Sequence, residues 1–236
     1  MVMAVTLWHL AHAVFETARI CGPTILDGLS GKLTPEVVDA RLDDWSRRLL
    51  SQAGIELEVS GLEHAPPGEA FVIMSNHQSV YDIPVMFQAL RRRVRMVAKT
   101  ELFKIPGWAQ AMRMAGFVEL DRSDREQAIA SLAHAEAALH QGTNIWISPE
   151  GTRSRDGALL PFKKGGFRIA LSTGARILPV TIDGTRRALS ARGVSVRTGT
   201  RVRVTVSAPV DPRSYGNEQR DRLVQDVRAA IAAHLS

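Results

Sequence analysis

The run Phe71-Val72-Ile73-Met74 is apolar at every position and follows a Pro66-Pro67-Gly68 turn. A strand with one wet face alternates polar and apolar residues. A continuous apolar run is instead expected of a strand buried on both faces, inside a sheet covered on each side. Further strand candidates recur along the chain: Ile55 to Val59, with apolar residues at alternate positions, then Arg95 to Ala98, Phe117 to Leu120, Asn144 to Ile147, Ile177 to Thr181 and Arg201 to Val206. Helical stretches lie between them. The clearest starts at Ser123, with Glu126 three positions on as a capping box, and runs to His140 before Gly142; another covers about residues 218–235. This alternation implies an α/β fold, a central mostly parallel or mixed sheet flanked by helices, with chemistry expected where strand ends meet loops. Residues 183–200, rich in Gly, Thr, Ser and Arg, read as an exposed loop.

Residues 1–53 read as a helical hairpin ahead of an α/β domain over residues 54–236. In the first helix His9, His12, Glu16 and Arg19 recur at steps of three and four, a narrow polar stripe on an apolar cylinder that Gly22-Pro23 is expected to terminate. Two readings of that helix are open: a membrane-interfacial element, or a helix packed on the body of the protein or on a second subunit. His9 and His12 read as part of a solvated polar face rather than as metal ligands. Without a basic leader or a small-residue cleavage site, no cleaved signal peptide is expected. The second helix is marked by Thr34 as cap, Pro35 at its first position, and Val38, Leu42, Trp45 and Leu49 on one face until Gly54.

Lys plus Arg number 30 against 24 Asp plus Glu, a net charge of +6 that favours anionic partners. With Cys21 alone, no intrachain disulfide or cysteine-based zinc site can form, and a reducing compartment is expected. The 6% aromatic content is not interleaved with the basic runs, and no nucleic-acid module is present, so no nucleic-acid partner is expected. Arg91-Arg92-Arg93 with Arg95 reads either as solvated surface or as a docking patch for an acidic carrier protein.

Three constellations carry chemistry. His77 and Asp82 lie just after the buried strand; they can meet only if His77 is in the turn and Asp82 in the first turn of the next helix, which Pro84 permits. Such a pair is a general base with its orienting carboxylate, or else a polar loop with a capping Asp. In Ser148-Pro149-Glu150-Gly151-Thr152-Arg153, a strand ends in a turn whose backbone N–H groups, Thr152 hydroxyl and Arg153 can cradle a phosphate, with Glu150 orienting Arg153 or a substrate hydroxyl. Lys163 and Lys164 add cations before a helix beginning near Gly166, and no Walker spacing is present. In Gly116-Phe117-Val118-Glu119-Leu120-Asp121-Arg122, Arg122 either reaches the same anion or pairs with Asp121 at the strand end. Pro179, in Ile177-Leu178-Pro179-Val180, reads as an edge or bulge position.

The blocks NHQSVYD, GFVELDR, SPEGTRS and ILPV, in that order over about a hundred residues, resemble the four motifs of the glycerolipid acyltransferases of 1-acylglycerol-3-phosphate acyltransferase type. The stretch from Trp45 to Val180 looks familial between motifs too. Two positions depart from the pattern: Glu119, and Ser148 before Pro-Glu-Gly-Thr, where the family usually has aromatic residues. The resemblance implies an enzyme that moves a fatty acyl group from an acyl thioester, on coenzyme A or acyl carrier protein, to a lysophospholipid hydroxyl, with lysophosphatidate the leading acceptor. It implies His77 as general base, Asp82 as its orienter, and Arg122, Glu150, Gly151, Thr152, Arg153 and Lys163 at the acceptor, with Pro179 shaping the site. No cofactor and no metal are expected, and the N-terminal helices become a membrane-associating motif on the cytoplasmic face, peripheral or monotopic. Other lysolipids as acceptor, or a non-catalytic lipid-binding protein of this fold, are the competing readings.

Overall fold

The computed structural model describes residues 2–120, 125–216 and 218–236. Helices α1 (Val2–Leu29) and α2 (Pro35–Gln52) precede a chain that alternates strand and helix. Its strands are β1 (Glu56–Ser60), β2 (Val72–Ser75), β3 (Val94–Lys99), β4 (Val118–Leu120), β5 (Asn144–Ile147), β6 (Ile177–Asp183) and β7 (Arg201–Val206). Between and after them lie α3 (Asp82–Leu90), α4 (Trp108–Met114), α5 (Arg125–His140), α6 (Gly165–Thr173), the short α7 (Thr185–Ala188) and α8 (Arg220–Ala232). They form one seven-stranded mixed sheet in the order β1-β7-β6-β2-β5-β3-β4, antiparallel only between β6 and β7.

The apolar runs occupy the middle of this sheet, and β2, β5 and β6 are buried at every residue. Alternate side chains feed two cores. Phe71, Ile73, Trp146, Leu178 and Val180 pack with α2, α3 and α4 on one face. Val72, Met74, Ile145, Ile147 and Ile177 pack with α5, α6 and α8 on the other. The edge strand β1 is the exception: Glu56 and Glu58 face solvent beside Arg201 at 3.8 and 3.2 Å, charges that discourage pairing with another chain. From β2 the chain crosses through α3 on the first face to β3, whereas from β5 it crosses through α6 on the second face to β6. The loops leaving the adjacent strands β2 and β5 therefore part to opposite faces and open a crevice at the carboxyl ends of those strands, the place where α/β sheets bind ligands.

Four sequence expectations change here. The first helix does not stop at Gly22-Pro23 but continues to Leu29, with Pro23 inside it. Contacts on its later turns hold it: the Thr24 hydroxyl donates to the Ile20 carbonyl at 2.7 Å, and Arg41 of α2 donates to Thr24 at 3.2 Å and to Asp27. The polar stripe of α1 is only partly solvated. His9 and Glu16 are only 6% and 3% exposed, because the stripe faces α2 and leaves the apolar side outward. Most of the basic run is not bare surface: Arg91 is exposed, but Arg92 donates to the carbonyls of Ala65, Pro66 and Glu69, and Arg93 and Arg95 pair with Asp39. Pro179 lies in an interior strand rather than at an edge. The bulge half of that expectation holds, since two steps from Ile177 to Pro179 face three from Ser207 to Val210, and the pairing slips beside the missing N–H.

Candidate active site

Register places the first two constellations side by side. Met74 on β2 pairs with Ile147 on β5, and His77 and Glu150 each lie three residues beyond. Past Ile147 the chain turns sharply, with Pro149 at the second position and the Gly151 N–H donating to the Ser148 carbonyl at 3.1 Å. Gly151 has φ of +69°, a conformation glycine takes without strain. That turn sends Glu150 inward, where it is 2% exposed.

The Asp82 carboxylate, fully buried, accepts four hydrogen bonds. Oδ2 takes the N–H groups of Gln78 at 2.7 Å and Ser79 at 2.9 Å and lies 2.6 Å from Nδ1 of His77; Oδ1 takes the Thr185 hydroxyl at 2.5 Å. A carboxylate that only accepts is in its ionised form, so the network assigns the imidazole proton to Nδ1 and leaves Nε2 as the basic nitrogen. The His77 side chain is 24% exposed, and its Nε2 has no partner among the described residues. Here the expected meeting of a turn histidine with a first-turn aspartate occurs, since α3 begins at Asp82 itself.

Glu150 braces the same turn from the neighbouring strand. Its Oε1 accepts the His77 N–H at 2.7 Å and its Oε2 the Leu160 N–H at 2.8 Å. Burial raises its pKa above the ordinary carboxylate value, while the N–H groups of Leu160 and His77 pull the other way. Both oxygens are thus directed at backbone, and no hydrogen bond or ion pair joins Glu150 to Arg153 among the described residues. The Ser154 N–H donates to the His77 carbonyl at 2.7 Å, which fixes the Thr152-Arg153 segment beside the histidine. Thr152 is exposed and Arg153 half-buried, with no ion pair or hydrogen bond of its own among the described residues. Lys163 is exposed at the far end of the same loop, its N–H held by the Pro149 carbonyl at 2.8 Å. Pro179 pairs in register with Met74, one strand over from the histidine turn. Asp121, Arg122 and Ser123 lie outside the described residues. The departures from the family pattern have structural roles: Glu119 pairs with Arg113 at 2.8 Å, and Ser148 sits at the start of the turn.

Sequence reasoning missed two side chains. Asn76 donates to the Ile182 carbonyl at 2.7 Å and accepts the Ile182 N–H at 2.8 Å, clamping the end of β2 to β6. Thr185, in the segment expected to be an exposed loop, is fully buried against Asp82. The Gly184-Thr185 pair reads as a turn signal, and only its position after an apolar strand would have hinted at a site.

Comparison with known proteins agrees with this geometry. The chain is 34% identical over 180 residues to the chloroplastic 1-acyl-sn-glycerol-3-phosphate acyltransferase BAT2 of Brassica napus, which covers 76% of this chain and 51% of that protein. It is 32% identical over 179 residues to the 1-acyl-sn-glycerol-3-phosphate acyltransferase alpha of Mus musculus, covering 75% of this chain and 63% of that one. The chain therefore spans about half to two thirds of the length of these curated relatives. Its fold is similar to the crystal structure of the 1-acyl-sn-glycerophosphate acyltransferase PlsC from Thermotoga maritima, with a TM-score of 0.81, 28% identity and coverage of 98% of this chain and 92% of that one. A family model described as Acyltransferase matches residues 56–183, from the first strand through the last residue of β6 and so across both loops of the crevice; the chain belongs to the acyltransferase family.

Proposed function

We propose that the protein transfers a fatty acyl group from an acyl thioester, on coenzyme A or acyl carrier protein, to the sn-2 hydroxyl of 1-acylglycerol-3-phosphate, giving phosphatidate. The observation that carries this reading is the His77–Asp82 pair at 2.6 Å, with an Nε2 that has no partner among the described residues beside a glycine turn that bears Thr152 and Arg153. Nε2 takes the acceptor hydroxyl's proton as the oxygen attacks the thioester carbonyl, and Asp82 stabilises the imidazolium that forms. The attack forms the new C–O bond and a tetrahedral oxyanion, which collapses by re-forming the carbonyl and breaking the C–S bond, while the proton passes from His77 to the departing thiolate. Arg153, with Thr152 and Lys163, holds the acceptor phosphate through charge-assisted hydrogen bonds, so the hydroxyl is delivered to Nε2 rather than encountered by chance. Glu150 keeps the histidine turn and the phosphate loop in one frame. The names of the similar proteins support lysophosphatidate as acceptor.

The enzyme works at the cytoplasmic face of a membrane as a peripheral or monotopic protein. Supporting this, α1 exposes Leu7, Trp8, Leu10, Val14, Phe15, Leu26 and Leu29 on one face, each between 59% and 69% exposed. Among the described residues no helix is long and apolar enough to cross a membrane. The test is free-thiol release from palmitoyl- and oleoyl-coenzyme A, then from palmitoyl-acyl carrier protein, with and without lysophosphatidate. Release that requires lysophosphatidate is the expected result. No release from any donor with that acceptor, by folded protein, would overturn the assignment.

A further inference from the structure

Asp82 receives its fourth hydrogen bond from outside the motif that contains it. The donor, the Thr185 hydroxyl, opens α7 immediately after β6 and lies 103 positions along the chain from Asp82. Thr185 is fully buried, and its hydroxyl reaches Oδ1 at 2.5 Å, the oxygen that neither His77 nor the Gln78 and Ser79 N–H groups use. Without that donor, Oδ1 would be a buried carboxylate oxygen with no partner, and the carboxylate could rotate about its Cβ–Cγ bond away from the imidazole.

The backbone around Thr185 is built to present the hydroxyl. Gly184 has φ of +111°, and a Cβ there would fall 2.6 Å from the Arg201 carbonyl oxygen, so the chain turns tightly against β7 at this point. The preceding residues are fixed by Asn76, which clamps Ile182 through both its N–H and its carbonyl. Ser79 adds a second tie from the histidine turn, its hydroxyl donating to the Leu189 carbonyl just beyond α7 at 2.7 Å. The β2 turn and the segment after β6 therefore form one braced unit.

We infer that Thr185 is a positioning residue for the acyl transfer, acting through Asp82: its hydroxyl locks the carboxylate in the rotamer that holds His77 Nδ1–H and aims Nε2 at the acceptor. This rests on the proposed role of His77 as general base. A residue that acts this way lowers turnover without changing how either substrate binds, because it touches neither substrate. Its hydroxyl, and not its methyl group, is the functional part.

The experiment measures kcat and KM for acyl-coenzyme A and lysophosphatidate in wild type, Thr185→Val, Thr185→Ser and His77→Ala, each checked by its melting temperature. Thr185→Val keeps the shape and removes the donor; a loss of roughly 10- to 100-fold in kcat, with both KM values within about threefold of wild type, is expected. Thr185→Ser restores the hydroxyl and is expected to recover kcat to within about threefold of wild type. Thr185→Ala, which only removes atoms, repeats the measurement if the valine variant fails to fold. Wild-type kcat in folded Thr185→Val or Thr185→Ala, or a kcat loss in Thr185→Ser equal to theirs, overturns the inference. Activity in His77→Ala equal to wild type would instead overturn the general-base reading beneath it, so the two failures are distinct.

Discussion

At the carboxyl ends of β2 and β5, the buried carboxylates of Asp82 and Glu150 are met chiefly by backbone N–H groups, whereas between α1 and α2 the buried Glu16 is met by guanidinium groups. Backbone donors cannot swing away, so the first arrangement fixes one imidazole to within hydrogen-bond tolerance. The Arg19 and Arg48 side chains that serve Glu16 are 34% and 48% exposed, and they also reach Asp44, so this second network orients a helix rather than an atom. The surfaces left behind differ accordingly. The crevice presents His77 Nε2 and an Arg153 that has no partner among the described residues, while α1 presents an apolar face. Under the proposed function, chemistry and lipid contact are divided between these two regions, which bury charge with different donors.

The largest effect that separates them is expected from Asp82→Asn. The amide nitrogen would face the Gln78 and Ser79 N–H groups or the imidazole, favouring the wrong tautomer; kcat should fall roughly 10³- to 10⁴-fold while vesicle binding is unchanged, as read by steady-state kinetics and sedimentation. Next, Arg153→Ala should raise KM for lysophosphatidate by roughly 10- to 100-fold with kcat nearly retained, since it removes a charge-assisted contact to the acceptor alone. An equal loss with an acceptor lacking the phosphate would remove Arg153 from that role. On the other side of the comparison, Leu10→Glu combined with Phe15→Glu should cut partitioning onto anionic vesicles by about tenfold or more and spare turnover of a short-chain, water-soluble acceptor. Full vesicle binding by this variant would place the lipid contact elsewhere.

Two smaller effects concern the buried carboxylates themselves. Glu16→Ala leaves Arg19 with Asp44 as its remaining partner, and because these guanidiniums are partly solvated the expected cost is about 1–2 kcal/mol, a drop of a few degrees in thermal midpoint. Glu150 is the subtler case. Its pKa is raised on folding, so the native state holds a proton more tightly than the unfolded chain, and the associated stability is present at low pH and lost as pH rises above the ordinary carboxylate range. Wild type should therefore lose stability relative to Glu150→Gln as pH rises above the ordinary carboxylate range. Denaturant titrations at several pH values read this directly, and a difference that grows in favour of wild type with pH would contradict it.

The central strands were legible because β2, β5 and β6 are buried at every residue and carry apolar runs, Val72 to Met74, Ile145 to Ile147 and Ile177 to Val180, a pattern that survives without knowledge of neighbours. His77 and Asp82 were legible because five positions of one chain segment carry the whole contact. Thr185 was not, since its partner comes from a segment brought close only by the adjacency of β2 and β6. Periodicity located the polar stripe of α1 but not its direction: it finds two faces of a helix and cannot tell which one is turned inward, and the usual assignment of the polar face to water fails where α2 supplies Asp44, Arg41 and Arg48. Pro23 misled for a related reason. The local rule ends a helix at proline, while the Arg41 contacts on the following turn carry it on to Leu29.

The central claim, that a histidine held by a buried aspartate activates a lipid hydroxyl, is tested most directly by following phosphatidate formation by mass spectrometry in wild type and in His77→Ala under identical vesicle conditions. The account predicts phosphatidate from wild type and a rate lower by roughly 10²- to 10⁴-fold in the variant, with both proteins folded and equally bound to the vesicles. Phosphatidate formed at the same rate by both would contradict it.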